Sequence, residues 1–498
     1  MTALVAGTTS VLFCQPCRAG NDSFFNNGTL KYINTGIRNA EPGVCAAVNK
    51  DDTCTNRTLL FTLKQGSDAD ATLKKQPKVD LTVVEFINSQ NYSVAKIGNS
   101  DLVAEQKAED FLIQGEEKYE KGDYQGAIQA FNQAIKLNPN YTEAYGNRGI
   151  ARYGLGDKQG AIADFNQVLR INPNDAKAYY NRGLVRYELG DKEGAVADFN
   201  QALRINPNYT LAYYNRGLAR YELGDKQGAV ADFNQVLRIN PNDAKAYYNR
   251  GVARYELGDK EGAVADYDQA LRINPNDAQA YTNRGVARYE LGDKQGAVAD
   301  YNQALRINPN DANAYLNRGV ARADLGDKQG AVADYNQVLR INPNDADAYT
   351  NRGVARADLG DKQGAVADYN QALRINPNDA KAYLNRGVAR AELGDKQGAV
   401  ADFNQALQIN PNYANAYNNR ANARSNLGDK QGAIADYNQA VRINPNLAGV
   451  YLNRGITRAD LGDKQGAIQD FQKAADLFQQ QGDKNNYEKA INILRRLQ

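Results

Sequence analysis

The chain has 498 residues, 60 basic against 58 acidic side chains, a formal charge of +2, and neither histidine nor tryptophan. A near-neutral balance without a basic block gives no electrostatic footprint for nucleic acid. The missing histidine removes Ser-His and Cys-His nucleophiles, His-ligated metals and imidazole acid–base chemistry.

In chain order, Thr2–Phe13 is an apolar run, and Cys17 and Ala19 are small residues where a signal peptidase would read. Residues 1–19 thus read as a secretory leader, exported or periplasmic, or, for want of a basic start, as part of a cytoplasmic chain. The run is too short to span a membrane. All four cysteines, Cys14, Cys17, Cys45 and Cys54, lie here or shortly after. The wide Cys45–Cys54 spacing argues against a four-thiolate zinc site, so no metal is assigned. Loss of the leader would leave Cys45 and Cys54 as a candidate disulfide.

Residues 20–104 are rich in Asn, Gly, Thr and Ser, with strand-like runs at Leu59–Leu63 and Leu81–Ile87. They read as a small β-rich or partly ordered segment of unassigned function. No phosphate loop, nucleophile elbow or carboxylate pair occurs in it. The chain is therefore read as non-enzymatic, with no catalytic residue and no cofactor.

From Ala108 to Gln481 the text recurs every 34 residues, eleven times, with prolines keeping step from Pro139 to Pro445. Repeat 6, Ala278–Asp311, shows the pattern. Asp277 suits the cap of a first helix ending before Gly292, and a second helix is expected from Lys294 to Ile307. Asn308-Pro309 then stops it. Such a hairpin cannot bury its apolar face alone, so stacked copies should form a solenoid. The stripe Tyr487, Ala490, Ile491, Leu494 and Leu497 marks 484–498 as a closing helix.

Tyr281, Gly285, Ala297, Tyr301, Ala304 and Pro309, at positions 4, 8, 20, 24, 27 and 32, resemble the tetratricopeptide repeat (TPR). The resemblance implies an all-α, right-handed superhelix whose first helices line a concave groove. It also implies an interaction scaffold. The alternatives are a substrate-selecting or targeting subunit of an enzyme and an envelope-assembly protein with an inert groove. Expected partners are other proteins or extended peptide segments, without nucleic acid or an integral membrane span.

Position 7, where the family usually has Leu, is Arg in ten repeats, and position 23 is Asp in the same ten. Repeat 1 lacks both, having Gln114 and Ala130. Joint loss implies that each Arg and Asp, such as Arg284 and Asp300, pair within the hairpin, because either one buried alone would be costly.

Position 6 is Asn in those ten repeats: Asn147, Asn181, Asn215, Asn249, Asn283, Asn317, Asn351, Asn385, Asn419 and Asn453. The resemblance places them in the groove, like the asparagine ladder of the O-linked N-acetylglucosamine transferases. A carboxamide matches a peptide N–H and C=O without reading side chains. The alternative is that each Asn only bridges neighbouring repeats. Tyr180, Tyr187, Tyr214, Tyr221, Tyr248, Tyr255 and Tyr289, at positions 5 and 12, with acids at position 13, suggest an aromatic, acid-rimmed groove over repeats 3–6. The alternative there is that position-12 tyrosines pack between helices and narrow the groove. Position 5 is never Lys, against a clamp for chaperone C-terminal carboxylates.

Overall fold

A computed structural model describes the backbone of residues 25–26, 29–30, 32–38, 41–47, 59–62 and 99–497, and side chains from residue 104 to 497. Two compact bodies divide the described chain after Asn206.

In the first body, β1 (Phe25–Asn26) pairs antiparallel with β2 (Thr29–Leu30), and β3 (Tyr32–Arg38), β4 (Glu41–Ala47) and β5 (Leu59–Thr62) form an antiparallel sheet in that order. The expected strand at Leu59 is present. Cys45 sits in β4 opposite Asn34 and Leu59. Cys54, the other half of the candidate disulfide, lies outside the described residues, as do Cys14, Cys17, residues 1–19 and the run Leu81–Ile87.

The helices of this body are α1 (Asn99–Glu120), α2 (Tyr124–Leu137), α3 (Thr142–Gly154), α4 (Lys158–Ile171), α5 (Ala176–Glu188) and α6 (Lys192–Ile205). The period placed the first repeat at Ala108, but α1 begins at Asn99, nine residues earlier. No Gly or Pro interrupts Asn99–Ala108, and Ala104, Glu105, Gln106 and Lys107 are good helix formers, so nothing stops the helix from extending upstream.

The second body carries repeats 4 to 11. Its helix pairs are α7 (Thr210–Glu222) with α8 (Lys226–Ile239), α9 (Ala244–Glu256) with α10 (Lys260–Ile273), and α11 (Ala278–Glu290) with α12 (Lys294–Ile307). Next come α13 (Ala312–Asp324) with α14 (Lys328–Ile341), α15 (Ala346–Asp358) with α16 (Lys362–Ile375), and α17 (Ala380–Glu392) with α18 (Lys396–Ile409). The last are α19 (Ala414–Asn426) with α20 (Lys430–Ile443), α21 (Ala448–Asp460) with α22 (Lys464–Gln480), and a single helix α23 (Lys484–Leu497).

Local chemistry sets these bounds. In repeat 6 the Asp277 side chain accepts from Ala280 N at the start of α11, and Asp293 accepts from Gly296 N at the start of α12. Gly292, between them, has φ +91°, a conformation that a Cβ would strain. Where position 34 is Tyr141, Tyr209, Tyr413 or Leu447, the following first helix has no side-chain cap.

Within each hairpin, a small residue at position 8 faces the aromatic ring at position 24. A Cβ on Gly319 would sit 2.6 Å from Tyr335 Cε1, so the helices meet at a distance only glycine allows without movement of the ring. Repeat 10 has Ala421 at this place, opposite Tyr437. The alanines at positions 20 and 27 and the aromatic at 24 are fully buried in repeat 6, as Ala297, Ala304 and Tyr301. Successive first helices such as α11 and α13 also touch, in addition to the hairpin contacts. At the C-terminal end α23 lays Ala490, Ile491, Leu494 and Tyr487 against Phe471, Ala474, Leu477 and Phe478 of α22, closing the last apolar face.

Candidate functional site

Each of the ten Arg–Asp pairs forms as a fork. In repeat 7, Arg318 donates from Nε to Asp334 Oδ2 at 3.0 Å and from Nη2 to Oδ1 at 2.6 Å, with Asp334 only 3% exposed at its side chain. A second guanidinium, which sequence reasoning missed, completes the site: Arg322, at position 11, donates to Oδ2 of the same aspartate at 3.0 Å. Its signal was available, because position 11 is Arg in the same ten repeats and Lys118 in repeat 1.

The fork also reaches backward. Arg318 donates from Nη1 to Asn302 of the preceding second helix at 2.6 Å, and its guanidinium lies 5.4 Å from the Tyr315 ring centroid. The trio therefore ties a hairpin together and joins it to the previous one. All three charged groups are occupied by one another, so the arrangement is structural. Repeat 5 supplies Asp268 in place of the asparagine, giving Arg284 two carboxylates.

The asparagines at position 6 do not share one environment. Asn249 and Asn283 are buried, at 0% and 3% exposure, and donate from Nδ2 to the hydroxyls of Tyr214 and Tyr248 in the preceding repeat at 2.8 and 2.9 Å. Asn147 donates to Glu116, Asn453 to Asn422, and Asn419 accepts from Asn418. Asn215 is half-buried and also partnered. Asn181, Asn317, Asn351 and Asn385 are half-buried with no side-chain partner. A partner from the preceding repeat is either a tyrosine at position 5, as Tyr214 and Tyr248, or a polar side chain at position 9, as Glu116 and Asn422. Before Asn181, Asn317, Asn351 and Asn385 those places hold Gly146, Thr282, Leu316 and Thr350 at position 5 and Ile150, Val286, Val320 and Val354 at position 9.

The tyrosines expected to line an aromatic groove differ in burial. Tyr180 and Tyr248 are buried at 5% and 3% exposure, and Tyr187, Tyr214, Tyr221, Tyr255 and Tyr289 are half-buried. At position 12, Tyr221 donates to Glu256 and Tyr289 to Asp324 of the next repeat, at 2.5 and 2.6 Å. Lys226 and Lys294 hold the same carboxylates at 2.8 and 2.9 Å. These acids of the expected rim thus stand in Tyr–acid–Lys struts whose charge is already matched. Where position 12 is Ala or Ser, only the lysine remains. Asp358, Glu392 and Asp460 are then 46–49% exposed at their side chains, against 28–40% for the tyrosine-covered Glu188, Glu256 and Asp324.

The hydrogen bond to Asp324, followed by burial, pushes the Tyr289 phenol up to about 12. The same bond and Lys294 hold the Asp324 carboxyl below its ordinary value. Between the ordinary tyrosine pKa and that raised one, the unfolded chain has lost a proton that the folded chain keeps. Stability should therefore fall as pH rises from about 10 toward 12, and a Tyr289→Phe chain should lose less over that window. Urea midpoints at the two ends of the window measure the difference.

Tetratricopeptide family descriptions match residues 115–156, 152–190, 183–224 and 355–394, residues 214–278, 248–312 and 282–346, and residues 380–413, 414–447 and 448–481. Together these leave almost none of the repeat region unmatched. The chain belongs to the tetratricopeptide repeat family. The repeat region of this TPR protein has the all-α, helix-turn-helix fold anticipated from its period, and the family's general role is protein interaction.

Residues 14–93 match a second family, described as circadian oscillating protein COP23. All four cysteines fall inside that match, which includes residues that a leader cleaved at Ala19 would remove. The uncharacterised protein MJ0572 of Methanocaldococcus jannaschii is 44% identical over 45 residues, 9% of this chain and 52% of that protein. The TPR chain thus spans about half the length of this relative. Among solved structures, YrrB, described as a TPR protein with an unusual peptide-binding site, is 24% identical, covering 37% of this chain and 95% of its own, with a TM-score of 0.34. The Cut9–Hcn1 hetero-tetramer of the APC/C is 14% identical, covering 80% of this chain and 100% of its own, with a TM-score of 0.43.

Proposed function

We propose that this TPR chain is a non-catalytic scaffold that holds extended peptide segments by their main chain, using the asparagines at position 6 of its first helices. The observation that carries this reading is the set of half-buried carboxamides without a partner, Asn317, Asn351 and Asn385, at one position in consecutive repeats. A carboxamide presents one acceptor and two donor hydrogens, so a regular row of them matches the alternating N–H and C=O of an extended strand. Most of the charged groups nearby, those of the Arg–Asp–Arg trios and the Lys–acid struts, are already paired, which supports recognition of main chain over side chains.

A peptide of about twelve residues, selected from a displayed random library against the full chain, provides the test. Its alanine variants and its backbone N-methylated variants are compared by calorimetry. Main-chain recognition predicts that several single N-methylations abolish binding while most alanine substitutions change the affinity less than about threefold. Equal tolerance of all N-methylations contradicts the reading, as does a failure of any library peptide to bind.

A further inference from the structure

The ladder is open in one stretch. Asn249 and Asn283 are covered by tyrosines from the preceding repeat, whereas Asn317, Asn351 and Asn385 follow Thr282, Leu316 and Thr350 and carry no partner. In the same repeats position 12 is Ala323, Ala357 and Ala391, so the phenols that strut the earlier repeats are missing as well. Repeats 7 to 9 therefore lack both tyrosines that fill the face of repeats 4 and 5.

A cleft of about 500 Å³ lies within this open stretch, between repeats 8 and 9, lined by Asp347, Thr350, Asn351, Asp379, Lys381 and Tyr413 among others. Two observations point to a ligand there. Thr350 is 4% exposed, and its Oγ1 is buried without a hydrogen-bond partner. The equivalent Thr282, in contrast, donates to the Ala278 carbonyl at 3.1 Å. A buried hydroxyl left unpaired costs free energy that an arriving polar group would recover. Asp347, on the exposed side of the cleft, also has no ion-pair or hydrogen-bond partner. Asp379 uses Oδ1 to cap α17, accepting from Lys381 N and Ala382 N, and keeps its second oxygen.

We infer that this cleft is a side-chain pocket for a lysine or arginine of a bound peptide whose main chain runs along Asn317, Asn351 and Asn385. The charged acceptors it leaves unpaired are the Asp347 carboxylate and the second oxygen of Asp379. The Thr350 hydroxyl and the Asn351 carboxamide can each accept as well as donate, and ammonium and guanidinium groups are donors only. Two carboxylates against one lysine leave the lining net negative. Main-chain contact along the ladder and one basic side chain in the cleft together fix the register of the segment. This rests on the peptide-holding role proposed above and adds to it the place and the chemistry.

Thr350→Tyr tests the place. By analogy with Tyr248 and Asn283, it sets a phenol against Asn385 and fills the cleft, so the melting temperature should hold or rise. Binding of the library-selected peptide should weaken about tenfold or more, with Asp347→Asn weakening it about threefold. Replacing the peptide's basic residue by norleucine should match the Thr350→Tyr loss and show no further loss on the Thr350→Tyr chain. A peptide that ignores Thr350→Tyr but loses affinity to Asn249→Ala/Asn283→Ala overturns this inference and leaves the peptide-holding role standing. Selected peptides without a required lysine or arginine overturn the pocket's chemistry. Absence of any binding peptide overturns the role itself and the inference with it.

Discussion

Removing one carboxylate, by Asp334→Ala, should destabilise repeat 7 by about 3 kcal/mol, near the low end for breaking a buried ion pair. The side chain of Asp334 is 3% exposed, and its loss leaves two guanidiniums, Arg318 and Arg322, facing each other. They stay 14% and 25% exposed, so water relieves part of the cost. The joint presence of Arg and Asp in the sequence suggests that adding Arg318→Leu restores the loss. The structure changes that expectation, because Arg322 still points at the empty site. Only the triple change Arg318→Leu/Arg322→Leu/Asp334→Ala removes every unpaired charge, and it should recover more than half of the loss. Hydrogen exchange localised to α13 and α14 is the suitable measurement, since repeat arrays open locally rather than in one step. Equal protection in the single and triple variants would show that the charges do not act as a unit.

Ending the chain at Gln481 should have the second large effect. That deletion uncovers Phe471, Ala474, Leu477 and Phe478, which pack against Ala490, Ile491 and Leu494 of α23. Each large apolar side chain returned to water costs about 1.5–3 kcal/mol if fully exposed, so repeat 11 should fray and the chain should self-associate. Light scattering together with exchange across α21 and α22 reads both consequences. A truncated chain that stays monodisperse with unchanged protection would mean that α23 is dispensable to the last hairpin.

Much of this organisation is legible in the sequence because it is local or repeated. Asp277, Gly292 and Pro309 mark the ends of the helices of repeat 6, and the observed spans Ala278–Glu290 and Lys294–Ile307 follow them. Arg284 and Asp300 could be paired from text alone, because both are missing from repeat 1. Arg288 binds the same carboxylate at 3.0 Å, but Lys118 keeps a basic side chain at its position in repeat 1, so joint loss does not mark it. The candidate binding face was harder to read. Whether an asparagine at position 6 is open depends on the reach of a side chain 35 residues earlier, as with Tyr248 and Asn283. The acids at position 13 look like a charged rim until Lys294, 30 residues before Asp324, is seen to reach across. Spacing gives the neighbours of a residue along its own helix, but such contacts between repeats are set by packing.

The most direct measurement of where peptide binding resides is the calorimetric affinity of one selected peptide for three full-length chains. These are the natural sequence, Asn317→Ala/Asn351→Ala/Asn385→Ala, and Asn249→Ala/Asn283→Ala. The open ladder predicts a loss of about a hundredfold for the first variant and less than about twofold for the second, whose carboxamides are occupied by tyrosines. Equal losses, or a loss confined to Asn249→Ala/Asn283→Ala, would contradict binding at repeats 7 to 9.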